Sequence, residues 1–212
     1  MYKPYHKCRL NRQSEWETRQ HRLKLKSELA NWVHQILNSE WDGKLWYGCF
    51  VTFMFNYISG GFDRKCTVME DEINRIYSTL VRHVERHPTT PAGSRRVPIL
   101  LAFPDYPTQR GSGDWSDVTI NDGLHYHGII LLHIESRLKV RLDTHIKDDY
   151  DHYVRSGDIV RRIDRRPIDE KTAKRVTGYG LKALEWRIPD TDRLLILPRA
   201  LSELPTKDRY VD

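Results

Sequence analysis

The sequence predicts an α+β fold, a central antiparallel β-sheet with helices packed on it, and three observations carry that expectation. The segments read helix, strand, helix, strand, strand, strand, helix, so consecutive strands follow one another without the regular crossovers of βαβ winding. The 212 residues can bury one substantial core and demand no second. Apolar residues make up 39% and aromatic residues 10%, more than a disordered chain carries, so the chain should fold.

Taken in order, residues 1–44 read as an N-terminal helical extension. From Ser14 to about Leu37, the residues Leu25, Leu29, Trp32, Val33, Ile36 and Leu37 recur at helical spacing, with Ser14 as N-cap and Glu17 three residues on. The basic residues Arg19, Arg22, Lys24 and Lys26 read as a DNA-facing surface or a solvated face, with the solvated face slightly favoured. Residues 45–190 form the expected core. Leu45 to Phe55 is aromatic and β-branched and closes near Gly60-Gly61, the pattern of a core strand. Thr67 is placed to cap a helix running to about His87 before Pro88 and Pro91 end it. A strand is expected from Val97 to Phe103, a long surface loop from Pro104 to Gly123, and an apolar strand from Leu124 to Ile134. Asp143 to Tyr153 reads as helical and Asp158 to Arg165 as a basic strand. Pro167 and Asp169-Glu170 suit the start of a last helix reaching about Trp186, which Pro189 stops. The tail, residues 191–212, carries apolar residues that should dock on the core.

The net charge of +6 fits a polyanionic partner, because basic side chains release the counterions condensed on phosphates, and taken alone it fits simple solubility about as well. Cys8, Cys49 and Cys66 have no CxxC spacing, which argues against a zinc knuckle or a disulfide framework and fits a reducing cytosol. No stretch approaches the ~20 apolar residues that span a bilayer, and the polar start at Met1-Tyr2-Lys3-Pro4 is unlike a secretory leader. The expectation is a cytoplasmic protein that makes no membrane contact.

The chemistry centres on Leu124-His125-Tyr126-His127-Gly128. Period-2 alternation turns both imidazoles to one face of the strand, where a fixed pair of nitrogens is ready for a metal ion. By itself the pair reads more readily as two histidines that hydrogen-bond or pack at a sheet surface than as a metal site, and His133 further along shares their face. Later in the chain, Gly178-Tyr179-Gly180-Leu181-Lys182 falls on the last helix, with Tyr179 and Lys182 three apart on one side.

The combination of His125-Tyr126-His127 with Tyr179 and Lys182 resembles the single-tyrosine HUH endonucleases, the replication initiators and related transposases. Phe50-Val51-Thr52-Phe53-Met54-Phe55-Asn56 is similar to that family's first motif, an apolar strand with an embedded threonine. The resemblance spans about residues 46–186 in the family's motif order. It implies an HUH-like fold and a metal-dependent endonuclease that nicks and rejoins single-stranded or hairpin DNA. Tyr179 would be the nucleophile, and a 5′-phosphotyrosine the intermediate, in initiating rolling-circle replication or transposition. His125 and His127 would hold Mn2+ or Mg2+, with nitrogen ligands favouring manganese. A tyrosine hydroxyl, with a pKa of ~10, needs help to attack, and Lys182 is placed to give it.

A third metal ligand stays open among Asp105, Asp122 and Glu185, with Asp105 ranked first. The basic residues Arg155, Arg161, Arg162, Arg165, Arg166, Lys171, Lys174 and Arg175 precede Tyr179 and are the expected phosphate-tracking surface, although acidic neighbours are interleaved. Tyr150 and Tyr153 read as packing or base-stacking residues. No Walker A sequence follows the tyrosine, so any helicase would be a separate protein. Two other readings compete. A histidine-triad nucleotide hydrolase would want a third alternate histidine where Ile129 stands, and a non-catalytic DNA-binding protein would use His125 and His127 structurally.

Overall fold

The computed structural model describes residues 5–38, 46–106, 119–185 and 191–199, with side chains from residue 16 onward. Its elements are α1 (Tyr5–Leu37), β1 (Trp46–Phe55), α2 (Phe62–Val84), the single turn α3 (Pro91–Ser94), β2 (Ile99–Asp105) and β3 (His125–His133). They continue with α4 (Leu142–Asp148), α5 (Tyr150–Tyr153), β4 (Val160–Ile168), α6 (Glu170–Gly180) and β5 (Leu195–Leu197). The fold is α+β, built on a five-stranded antiparallel sheet in the order β4-β1-β3-β2-β5.

Strand alternation divides the core into two layers. Cys49, Val51, Phe53 and Phe55 of β1, with Tyr126, Ile130 and Leu132 of β3, pack against Met69, Ile73, Ile76, Leu80 and Val84 of α2. The opposite face presents Ile129 and Leu131 of β3 and Leu101 and Phe103 of β2 to Leu29, Val33 and Leu37 of α1 and Ala173 of α6. β3 is therefore buried on both sides along its whole length, which is why it is a nearly unbroken apolar run rather than an alternating one, while the edge strand β4 is largely exposed or half-buried.

Several boundaries differ from the sequence expectation for local reasons. α1 begins at Tyr5, so Ser14 is interior to it; no glycine or proline lies between Pro4 and Leu37 to stop the helix earlier. Its basic face is only partly solvated, since Arg22 is buried and Lys26 pairs with Glu185. α2 starts at Phe62 with Gly61 as N-cap, which leaves Thr67 inside the helix, its hydroxyl donating to the Asp63 carbonyl one turn back. α2 ends at Val84 rather than His87, and the expected helix at Asp143–Tyr153 is two short helices joined at Asp149.

β2 departs furthest from expectation, running past Phe103 through Pro104 to Asp105 instead of ending before the proline. β5 pairs only with Leu100, Leu101 and Ala102, so at Pro104 the strand has an open edge where a residue without an N–H is tolerated. β4 likewise continues through Pro167 to Ile168 on the outer edge of the sheet. The tail docks on the core through β5, while its residues 200–212 lie outside the described residues.

Candidate metal centre and tyrosine site

Register places the site. In an antiparallel ladder directly opposed residues share a face, and β2 sets Asp105 opposite His125 while β1 sets Thr52 opposite His127. β4 in turn sets Asp164 opposite Thr52 and Arg166 opposite Phe50. Asp105, His125, His127 and Thr52 therefore gather at one end of the sheet, on the face covered by α1 and α6.

A pinned turn fixes the entry to β3. Asn121 and Asp122 adopt left-handed φ values of 55° and 59°, which their short polar side chains tolerate better than most residues. The buried Asn121 side chain accepts from the Ile58 amide at 2.8 Å and donates to the Asn56 carbonyl at 2.9 Å, tying the turn to the end of β1. Gly123, with φ 78°, then directs its carbonyl at His125.

Each imidazole is oriented by a bond at its other nitrogen. His125 Nδ1 lies 2.8 Å from the Gly123 carbonyl oxygen, which can only accept, so Nδ1 carries the proton and Nε2 is a bare lone pair. His127 Nδ1 lies 3.0 Å from Thr52 Oγ1, a hydroxyl able to accept from it, and in that tautomer Nε2 is free to ligate as well. The two Nε2 atoms are 3.2 Å apart, and Asp105 Oδ2 is 3.2 Å from that of His127 and 3.7 Å from that of His125.

Ligands at ~2.0–2.1 Å from one ion stand about 2.9–3.4 Å from each other; the two 3.2 Å separations fall in that range and the 3.7 Å one is slightly wider, so the three atoms approximate one face of a coordination shell. All three residues are buried, and Asp105 Oδ2 faces both Nε2 atoms with Lys182 Nζ 2.7 Å away. Two imidazole nitrogens converging on a buried carboxylate oxygen fit a cation, and oriented second nitrogens are the usual support of ligating histidines. Asp105, His125 and His127 thus form a buried cluster able to bind a metal ion.

Electrostatics follow from burial. Desolvation and the neighbouring His127 push His125 down to about 4, so it stays neutral and able to ligate at physiological pH. Burial pushes the Asp105 carboxyl up, but His127 and Lys182 outweigh it and hold the carboxyl below its ordinary value. Lys182 Nζ stands 2.7 Å from Asp105 Oδ2 and 4.5 Å from the centre of the Tyr179 ring.

Tyr179 comes to the same place from α6. Asp169 opens that helix with a capping box, its carboxylate accepting from the Thr172 amide at 2.8 Å while Thr172 Oγ1 accepts from the Asp169 amide at 3.2 Å. The α-helical turns end at Gly180 rather than near Trp186, and Lys182–Glu185 forms a tighter 3-10 turn. A Cβ on Gly180 would sit 3.1 Å from Phe50 and 3.6 Å from His127, so this glycine lets the helix end close against the sheet. The Tyr179 ring lies 5.3 Å from that of His127 and 6.1 Å from that of Phe50, and 52% of the residue is exposed. No family model, curated protein or solved structure matches the chain.

The other two candidate third ligands lie elsewhere. Asp122 pairs with Lys65 at 2.7 Å and Glu185 with Lys26. His133 stays on the ligand face but at the far end of β3, edge-on to Trp46, where its Nδ1 accepts from the Glu135 amide. Tyr150 and Tyr153 are packing residues, the first accepting from the Ile163 amide and the second buried against His145.

A cleft of about 1130 Å3 opens beside Tyr179, lined by Phe50, Thr52 and His127 at one end and by residues of α4, β4 and α6 along its length. Of the basic residues expected to track phosphates, Arg165, Arg166 and Arg175 line it; Arg155, Arg161, Arg162, Lys171 and Lys174 do not. Arg162 pairs instead with Asp164, and Arg165 also donates to the Asp143 carbonyl. Sequence reasoning missed Lys147 and Thr144 on the opposite wall and the bond from Thr52 to His127. The threonine embedded in an apolar strand was the available signal for the last of these. Among the described residues no helix is long and apolar enough to cross a membrane.

Proposed function

We propose that this protein is a metal-dependent endonuclease of the single-tyrosine HUH type, with the HUH fold, acting on single-stranded or hairpin DNA in the cytosol. One observation carries the reading: an exposed tyrosine, Tyr179, stands against His127 of a buried Asp-His-His cluster, with Lys182 between them, at the mouth of a cleft lined by arginines. The chemistry it supports is nicking and rejoining, as needed to initiate rolling-circle replication or transposition, with any helicase supplied separately.

Asp105 Oδ2 and the Nε2 atoms of His125 and His127 would hold Mn2+ or Mg2+, the nitrogens favouring manganese. Such an ion supplies Lewis-acid polarisation of a non-bridging phosphate oxygen. The Tyr179 oxygen forms the new bond to phosphorus, the bond to the 3′ oxygen breaks, and the phenolic proton reaches the released 3′ hydroxyl through solvent. The 5′ phosphate remains on Tyr179, so the energy of the phosphodiester is kept and a 3′ hydroxyl can reverse the step. Lys182 offsets the negative charge that develops beside Tyr179. Phe50 backs the tyrosine ring, and Arg165, Arg166, Arg175 and Lys147 along the cleft track the phosphates of the strand.

The test is incubation with labelled single-stranded oligonucleotides and Mn2+, followed by denaturing electrophoresis. Wild type should form a denaturant-stable adduct, Tyr179→Phe none, and His125→Ala or chelator should reduce the yield at least tenfold. An adduct with Tyr179→Phe would overturn the nucleophile, and no adduct with wild type on any substrate would favour a purely DNA-binding role.

A further inference from the structure

A second group of metal-ligand side chains lies on the other side of the sheet, where α4 and α5 meet the end of α2. His83 comes from the last turn of α2, His145 from α4, and Asp149 from the junction of α4 and α5. One ligand atom from each falls within 4.8 Å of the others. The geometry points to a zinc site here, separate from the Asp105, His125 and His127 cluster and independent of the proposed nuclease activity.

The residues are arranged as a site rather than as a chance cluster of charges. His145 and Asp149 are four apart and share one face, with His145 Nδ1 2.8 Å from Asp149 Oδ2. His145 is buried, and its other nitrogen, Nε2, lies 2.8 Å from the buried Tyr153 hydroxyl. With an ion at Nδ1, the His145 proton sits on Nε2 and is donated to Tyr153, the outer-shell bond that orients ligating histidines. The His83 ring centre is 5.0 Å from that of His145 and 5.5 Å from that of His152. His152 is exposed and can swing in as a fourth ligand, or water can take that position.

Two imidazoles and one carboxylate suit a four-coordinate zinc ion, for which nitrogen donors are strongly preferred over calcium or magnesium. Asp149 is partly exposed, which leaves an entry path from solvent. The ion would join elements far apart in sequence. α4 is a seven-residue helix joined directly to the single turn α5, and its Asp143, Thr144 and Lys147 form a wall of the cleft. Zinc would therefore act as a clamp that fixes this wall against α2.

The experiment uses the full chain carrying His125→Ala and His127→Ala, which removes the first cluster, and Zn2+ alone as the probe. Equilibrium dialysis should find about one bound zinc per chain, and zinc should raise the melting temperature of this double variant. Adding His83→Gln, or separately Asp149→Asn, should weaken zinc binding at least tenfold while the far-UV circular dichroism is retained. His83 is half-buried and Asp149 partly exposed, so at least one of the two is expected to fold and decide the matter. No bound zinc in the double variant, or binding untouched by whichever substitution folds, would overturn the site. The nuclease reading is judged by the Mn2+ adduct of Tyr179, so each proposal can fail without the other.

Discussion

Thr52 and Lys182 act on the same three ligand atoms in opposite senses. Thr52 bonds to Nδ1 of His127 and so holds Nε2 toward Asp105. Thr52→Val keeps the shape of the side chain and removes that bond, so Mn2+ affinity should fall by about 10-fold or more, as loss of an outer-shell partner usually costs. Lys182 is a cation already paired with Asp105, and an incoming ion must compete with it. Lys182→Met should therefore tighten Mn2+ binding, on the order of tenfold, while lowering adduct formation because Tyr179 loses its neighbouring charge. Calorimetric titration with Mn2+ alone checks both variants; weaker binding by Lys182→Met would remove the competition argument. Neither effect is legible in the sequence. Lys182 stands out there for its spacing from Tyr179, and nothing local tells that its ammonium also reaches a carboxylate on β2.

At the scale of elements, the close of α6 against the sheet separates two glycines that look alike in Gly178-Tyr179-Gly180. A side chain at 178 meets only the Lys26 stem at 3.7 Å, an ordinary contact, whereas one at 180 meets Phe50 and the His127 Cβ. Gly178→Ala should raise stability by roughly 0.5–1 kcal/mol through helix propensity, and Gly180→Val should lower it by ~1–3 kcal/mol and depress adduct formation. Urea unfolding of the two variants separates these outcomes. The end of α2 gives a second prediction. Burial pushes the Glu85 carboxyl up, but the His87 amide and the Arg96 guanidinium outweigh it and hold the carboxyl below 4.5. A carboxyl lowered by folding contributes stability that is fully present above its unfolded pKa and is lost as pH falls through the folded value. Glu85→Gln should thus cost ~1–2 kcal/mol at pH 7, and the gap from wild type should narrow below pH 4.5. An equal gap in urea titrations at neutral and acid pH would show that the ion pair is not the source.

At the scale of the molecule, the cleft beside Tyr179 gathers Lys147, Arg165, Arg166 and Arg175 together with Asp143 and Asp164. Arg166 and Arg175 are exposed along it, from β4 and α6 respectively. Arg166→Glu and Arg175→Glu should each weaken single-stranded DNA binding across sequences and flatten its salt dependence by about 0.7 in log–log slope for each phosphate no longer neutralised. Fluorescence anisotropy over a salt series measures this, and an unchanged slope would take the cleft out of phosphate binding. Local sequence determined a good deal of this molecule by itself. The two-residue period put His125 and His127 on one face, the helical period gave the inward sides of α1 and α2, and Asp169 marked the start of α6. Only the tertiary structure decided which acid joins the histidines. Asp105, Asp122 and Glu185 are chemically equivalent in the chain, and the choice depends on β2 running through Pro104 and pairing in a register that faces Asp105 to His125. Such pairing is fixed by contacts between distant segments, and no window of neighbouring residues contains it.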